Sequence, residues 1–223
     1  MMRLVVLSFG VVMLIATWFG PLPQMARGSF SAHMAIHMVI VAVAAPAVAI
    51  GMANTRLDPV RGVPGLFAAI PASIVELVIV WAWHTPGLHH VARHSTWGFV
   101  LEQGTFFVSG LFVWLAAFGG DGRAGQRTAA GIVALLLTSM HMTLLGALLA
   151  LPPRPLYVHH TSDAVLTSLQ DQHLGGAIML VVGGMSYLLG GLGLTVRLLA
   201  RARRHKRMQS YGTMLLGDRS PNA

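Results

Sequence analysis

The sequence predicts an all-α protein, a polytopic membrane helix bundle with six transmembrane helices. Three observations lead there. Hydrophobic residues make up 55% of the 223-residue chain and charged residues 10%, with a mean hydropathy of +0.67. A soluble domain carries roughly a quarter charged residues, so this chain lacks the charge to build a water-facing surface. Its apolar residues fall into six segments near the ~20 residues needed to cross a bilayer. The charge is also lopsided: of a formal net charge of +8, seven basic residues against one acid lie between Arg197 and Ala223. A basic stretch directly after an apolar segment is a topology signal and a lipid-surface anchor. The partner it implies is the lipid bilayer, not nucleic acid.

The first segment, residues 2–18, carries Arg3 ahead of its apolar run and opens like a signal peptide. Its apolar stretch is long, it ends in Trp18-Phe19, and no small-residue cleavage site follows, so a retained span is expected. The second, 32–52, comes after Pro21-Leu22-Pro23, and the third, 65–83, after Asp58-Pro59. The fourth, 97–118, stops at Gly119-Gly120-Asp121-Gly122-Arg123. The fifth, 128–151, stops at Pro152-Pro153-Arg154-Pro155, and the sixth covers 175–200. These connections carry turn chemistry and none has room for a soluble domain. The expected organisation is one bundle over 1–200 and a basic cytoplasmic tail over 201–223. Both termini then lie inside with twelve of the fifteen Lys and Arg residues. Only Arg27, Arg93 and Arg154 fall outside, as the positive-inside rule requires.

Gly176, Gly183 and Gly190 recur every seven residues in the last span, beside Gly184 and Gly191. Small residues on one stripe let helices approach closely in lipid. From sequence the seam fits packing within the bundle or a homo-oligomer.

The absence of cysteine excludes disulfides, zinc–thiolate sites and thiol catalysis. Against seven carboxylates stand eleven His and thirteen Met. With this topology ten of the eleven His fall on or near the outer side. His33 and His37 are four apart, so they share a helical face one turn apart, a spacing that can hold a metal ion. Met34 and Met38 follow them on the neighbouring face, and Met140-His141-Met142 repeats the pairing. Imidazole with thioether suits copper, Cu(I) above all. Ionisable groups inside a bilayer are functional candidates because burying them is costly.

His84 ends the third span, Glu102 lies near the outer end of the fourth, and Asp171 and His173 sit at the mouth of the sixth. His89, His90, His94, His159 and His160 read as outer-loop residues, solvated rather than ligating. Glu76 lies mid-span, two turns before His84 on the same face, either a proton relay or a structural hydrogen-bonding group. Plainer readings stand beside these: His33 and His37 bonding backbone at a helix mouth, and Met as gap filler.

His33-Met34-Ala35-Ile36-His37-Met38, followed by Ala45-Pro46, resembles a segment of the multi-spanning CtaG-like cytochrome c oxidase assembly factors. Trp83-His84-Thr85-Pro86-Gly87-Leu88 is similar to a second motif of that family, and the stretch 142–149 with Pro155-Leu156-Tyr157 to a third. Asp171-Gln172-His173-Leu174-Gly175-Gly176-Ala177-Ile178-Met179, with Gly183-Gly184 after it, is similar to a fourth. The resemblance runs over residues 30–200. It implies a bacterial plasma-membrane protein that helps build a haem-copper oxidase, with oxidase subunits as partners and copper supply as the task. There are departures. Glu102-Gln103 stands where Glu-His is usual, Leu180 where Trp is frequent, and His173 where Gln is common.

Three functions remain open. A copper-handling assembly factor would draw on His33, His37, His84, His141 and His173, supported by Met38, Met142, Glu102 and Asp171. A haem b protein would use two facing His, with His37 and His141 placed to serve. A metal-free scaffold would use none of them. A histidine-box oxygenase fits poorly, since such boxes usually sit on the cytoplasmic side, and a zinc hydrolase lacks H-E-x-x-H. The chain is expected not to be an enzyme.

Overall fold

The computed structural model describes residues 1–120, 124–157 and 166–217, without the side chains of 124–125, 205–207 and 210–217. Among them there is helix and no strand. Five helices are long and apolar enough to cross a membrane, or six where one bent helix pair counts as a single span. The first span is α1 (Met2–Phe19). A short α2 (Leu22–Gly28) leads to α3 (Phe30–Met38), which runs through a π-helical turn at Val39–Ala44 into α4 (Ala45–Met52). After the single turn α5 (Pro59–Gly62) come α6 (Ala69–Trp83) and α7 (Pro86–His94), then α8 (Thr96–Phe118) and α9 (Ala124–Ala150). The last span is α10 (Ser168–Ile178), a π turn at Met179–Gly183, and α11 (Gly184–Gly217). Helix thus continues past residue 200 through the basic stretch.

The third span differs most from expectation. Its helix begins at Ala69, not at residue 65, because Pro71 is tolerated only in a first turn. Further in, it would remove a hydrogen bond and clash with the carbonyl four residues back. It ends at Trp83 because Pro86 drives Thr85 into extended backbone (φ −68°, ψ 141°). The fifteen residues of α6 reach only about 22 Å at 1.5 Å per residue, short of a ~30 Å hydrocarbon core. The chain then bends by 74° into α7. The segment expected as an outer loop is therefore helix.

Pro46 accounts for the π turn in the second span. Lacking an N–H, it leaves carbonyls one turn back without their helical donor. The Val41 carbonyl accepts from Trp114 Nε1 at 3.1 Å and the Tyr187 hydroxyl at 3.4 Å, and the Ala42 carbonyl accepts from Ser186 Oγ at 2.7 Å. Three side chains from α8 and α11 thus take the donor's place, and in doing so lock three spans together.

The glycine seam packs inside the bundle. A Cβ at Gly176 would stand 2.5 Å from the Ala150 nitrogen and 2.8 Å from the Gly146 carbonyl oxygen. At Gly190 it would strike the Trp114 ring at 2.6 Å. The first span is joined as closely: a Cβ at Gly51 would lie 2.8 Å from Leu7 Cα. At one end of the bundle Asp58 gathers the loops, accepting from the backbone N–H of Asn54 (2.7 Å), Val60 (3.0 Å) and Gly120 (2.8 Å). Arg127, Arg197 and Arg201 line a recess there. The opposite end carries the histidines.

Candidate metal centre

The site is built on the N-terminus of α3. Ser29 caps it, its hydroxyl accepting from the Ala32 N–H at 3.2 Å. Asp171 reaches over from α10 to accept from the N–H groups of Phe30 (2.5 Å) and Ser31 (3.1 Å), from the Ser29 hydroxyl (2.9 Å) and from the Ser31 hydroxyl. A carboxylate at a helix N-terminus meets unsatisfied donors and the positive end of the dipole. Both Asp171 oxygens are thereby engaged. It holds the helix that carries His33 rather than standing among the imidazoles.

His33 and His37 follow one turn apart, 2% and 0% exposed. Against His33 stands Glu102 of α8, fully buried. The Gln103 amide donates to Glu102 Oε2 at 2.9 Å, which fixes the carboxylate. Glu102 Oε1 lies 3.2 Å from His33 Nε2 without hydrogen-bond geometry. The third member is His89 of α7, 3% exposed. One ligand atom each from His33, His89 and Glu102 all lie within 4.8 Å of one another. Donors at ~2.0–2.2 Å from an ion stand about 3–4 Å apart, so small side-chain shifts would close this triad on a metal.

His89 is buried on a helix, not in the solvated outer loop that the sequence predicts. Pro86 at the first helical position starts α7, and spacing then turns His89 and Ala92 inward while His90 and His94 stay exposed. Thr85-Pro86 was the signal available in the sequence. Tyr157 is the second residue that sequence reasoning did not place in the site. Its ring lies 4.4 Å from that of His89 and 4.6 Å from that of Phe30, and its hydroxyl donates to the His84 carbonyl at the α6–α7 bend. Burial pushes that hydroxyl up to about 12, so it remains a donor at ordinary pH.

His37, His84 and His141 are buried as well. The rings of His37 and His84 are 5.4 Å apart, with Phe106 3.9 Å from His37. Among the described residues only His33, His89 and Glu102 form a group of three such side chains whose ligand atoms converge within 4.8 Å, so His37, His84 and His141 do not meet at one such point. His84 Nδ1 donates to the Val80 carbonyl at 2.6 Å, which fixes the tautomer and leaves Nε2 as the lone-pair nitrogen. That nitrogen and both ring nitrogens of His37 and of His141 are buried without a hydrogen-bond partner. Each such group costs about 1–3 kcal/mol unless something satisfies it.

The remaining candidates separate. Met38 and Met142 are buried and meet at the second π turn, where a Cβ on Gly183 would lie 3.1 Å from Met38 Sδ and 3.5 Å from Met142 Cβ. Met140 is 68% exposed, so the paired Met140-His141-Met142 pattern does not hold in space. Met34 is buried against Gly175. His173 Nε2 bonds the Pro152 carbonyl at 2.9 Å, on the α9–α10 connection. Glu76 is fully buried in mid-bundle and accepts from the Tyr187 hydroxyl, beside the Ser73–Thr138 hydroxyl pair at 2.9 Å. His159 and His160 lie outside the described residues. A cavity of about 290 Å³, lined by Arg27, His33, Arg93 and Ser95 among others, reaches His33 from the surface.

The arrangement is thus a buried, carboxylate-containing histidine cluster at one end of a membrane bundle, approached by one cavity wall at His33. No curated protein and no solved structure matches the chain. A family model described as cytochrome c oxidase caa3 assembly factor matches residues 1–201. With nearly its whole bundle covered by that model, the chain belongs to the cytochrome c oxidase caa3 assembly factor family.

Proposed function

We propose that the chain takes up copper at its histidine cluster and hands it to a haem-copper oxidase subunit during assembly, at the outer face of the membrane. The observation that carries this reading is the convergence of His33, His89 and Glu102 on one buried spot beside a cavity. Two imidazoles and a carboxylate bind a transition metal better than Mg or Ca, which prefer all-oxygen sites. A bilayer keeps ionisable side chains only at a cost, and such groups mark pathways and sites. Neutral imidazole ligands in a cysteine-free chain hold Cu(I) without thiolates, which suits an oxidising compartment. The outward orientation is supported by the twelve basic residues that the topology assigns to the other side. Copper is cargo in this role, and an assembly factor needs no catalytic residue.

Haem b fits less well. Axial ligation by His37 needs a slot for a macrocycle, and Phe106 and His84 stand against that ring instead.

The test is oxidase assembly in cells whose only copy is the His33→Ala/His89→Ala variant. At normal protein level, oxidase activity and the copper content of the purified oxidase are expected to fall by at least tenfold. A fully copper-loaded oxidase in those cells would leave a metal-free scaffold as the function. A Soret band in the purified wild-type protein would turn the reading to haem.

A further inference from the structure

We infer that the cavity at His33 is a binding site for the phosphate of an anionic membrane phospholipid, held by the guanidinium groups of Arg27 and Arg93. The inference goes beyond the copper reading and does not depend on it.

The cavity measures about 290 Å³ and its polar wall is basic: Arg27 comes from α2, Arg93 and His94 from α7, and no carboxylate lines it. Topology makes this pairing unusual. Arg27, Arg93 and Arg154 are the three basic residues expected on the outer side, against the positive-inside bias. Two of the three meet in this one cavity. Neither forms an ion pair among the described residues. Arg93 Nη2 donates to the Arg27 carbonyl, which ties α7 to α2, while Arg93 Nη1 is buried without a hydrogen-bond partner. A buried donor on a permanently charged group is costly to leave unpaired, and an anionic oxygen in the cavity would satisfy it. The guanidinium fork matches phosphate oxygens in spacing and plane. Ser95 and Thr96 add the N-terminus of the 23-residue α8, whose dipole favours the same sign of ligand.

The surroundings select a lipid over free phosphate. Trp97, next to Thr96, is 77% exposed, as an aromatic side chain at headgroup depth is. Val100 lies one turn beyond Thr96 and Leu101 one turn beyond Trp97, and both are exposed. A phosphate in the cavity therefore stands at the head of an apolar track along α8, which acyl chains can follow and a free ion cannot use. The ammonium of a zwitterionic headgroup would stand among guanidiniums, so a net negative headgroup is favoured. Once bound, it also offsets two positive charges that a metal cation would meet on the way to His33.

The experiment is native mass spectrometry of the full-length detergent-purified protein, titrated with dioleoyl phosphatidylglycerol or with phosphatidylcholine of the same chains. One phosphatidylglycerol per chain is expected to bind at least about tenfold tighter than phosphatidylcholine, since each basic residue near a lipid surface contributes about 1 kcal/mol. Arg27→Gln/Arg93→Gln is expected to abolish that preference and Arg154→Gln to keep it. Thr96→Asp is compatible with folding, because a carboxylate suits the first turn of a helix. Placed on the cavity wall, it is expected to weaken phosphatidylglycerol binding severalfold. No preference in the wild-type protein, a preference that survives in both cavity variants, or an equal loss in Arg154→Gln would overturn the site. Displacement of the lipid by millimolar inorganic phosphate would assign the cavity to free phosphate and overturn the lipid as its ligand. None of these outcomes bears on copper delivery, which the oxidase-assembly test reads separately.

Discussion

Gln103 follows Glu102 directly on α8, and the structure gives its side chain a task. Its amide holds Glu102 Oε2 at 2.9 Å, leaving Oε1 turned to His33. Outer partners of this kind typically contribute 10- to 100-fold in metal affinity. Gln103→Leu is therefore expected to weaken copper binding by about that factor in a competition titration, with the helical signal unchanged. Unaltered affinity would remove Gln103 from the site. Asp171 makes the opposite case. Four donors converge on its carboxylate, all at the α3 N-terminus. Hydrogen bonds to a charged group contribute about 1.5–3 kcal/mol each and leave unpaired donors behind when lost. Asp171→Ala should lower stability in detergent by at least about 2 kcal/mol, read as thermal unfolding, with Asp171→Asn intermediate.

Among the elements, the last span depends on how closely its backbone approaches α9. Gly176 faces the Ala150 nitrogen at a distance no Cβ tolerates, whereas a Cβ at Gly193 would meet nothing within 4 Å. Overpacking typically costs 1–3 kcal/mol, and here the obstacle is backbone, which cannot rotate aside. Gly176→Leu is expected to cut the yield of monodisperse protein severely while Gly193→Leu leaves it unchanged; equal yields would show that α10 and α9 are not held at this crossing. The two π turns lie just beyond the site-bearing ends of their spans, at Val39–Ala44 and Met179–Gly183. Such turns recur at functional sites. The first follows His37-Met38 directly and is braced by Trp114, Tyr187 and Ser186, so the register of the histidines depends on three side chains from two other spans.

For the whole molecule the open physical statement is direction. A chain with no cysteine gives a clean background for labelling. Thr96→Cys, exposed at the histidine end, should react with a membrane-impermeant maleimide on intact cells, and Arg203→Cys, exposed on α11, should react only after permeabilisation. The reverse pattern would place the cluster on the cytoplasmic side and remove outer-face copper delivery from consideration.

Hydropathy, charge asymmetry and turn residues determined by themselves that this is an all-helical membrane bundle and roughly where its spans lie. Lipid imposes that answer, because backbone polar groups in a span find no water and must be satisfied inside the protein, which a helix does almost entirely by itself. The spacing of His33 and His37 was legible for the same local reason, since a helix fixes its own faces. What tertiary structure decided were contacts between residues far apart in sequence. The inward turn of His89 depends on the α6–α7 bend, the pairing of His33 with Glu102 on the packing of α8 along the second span, and the engagement of Asp171 on the approach of α10. Met140 carries the same message: adjacency in sequence places neighbouring side chains on different faces of a helix, and only packing determines which face meets the site.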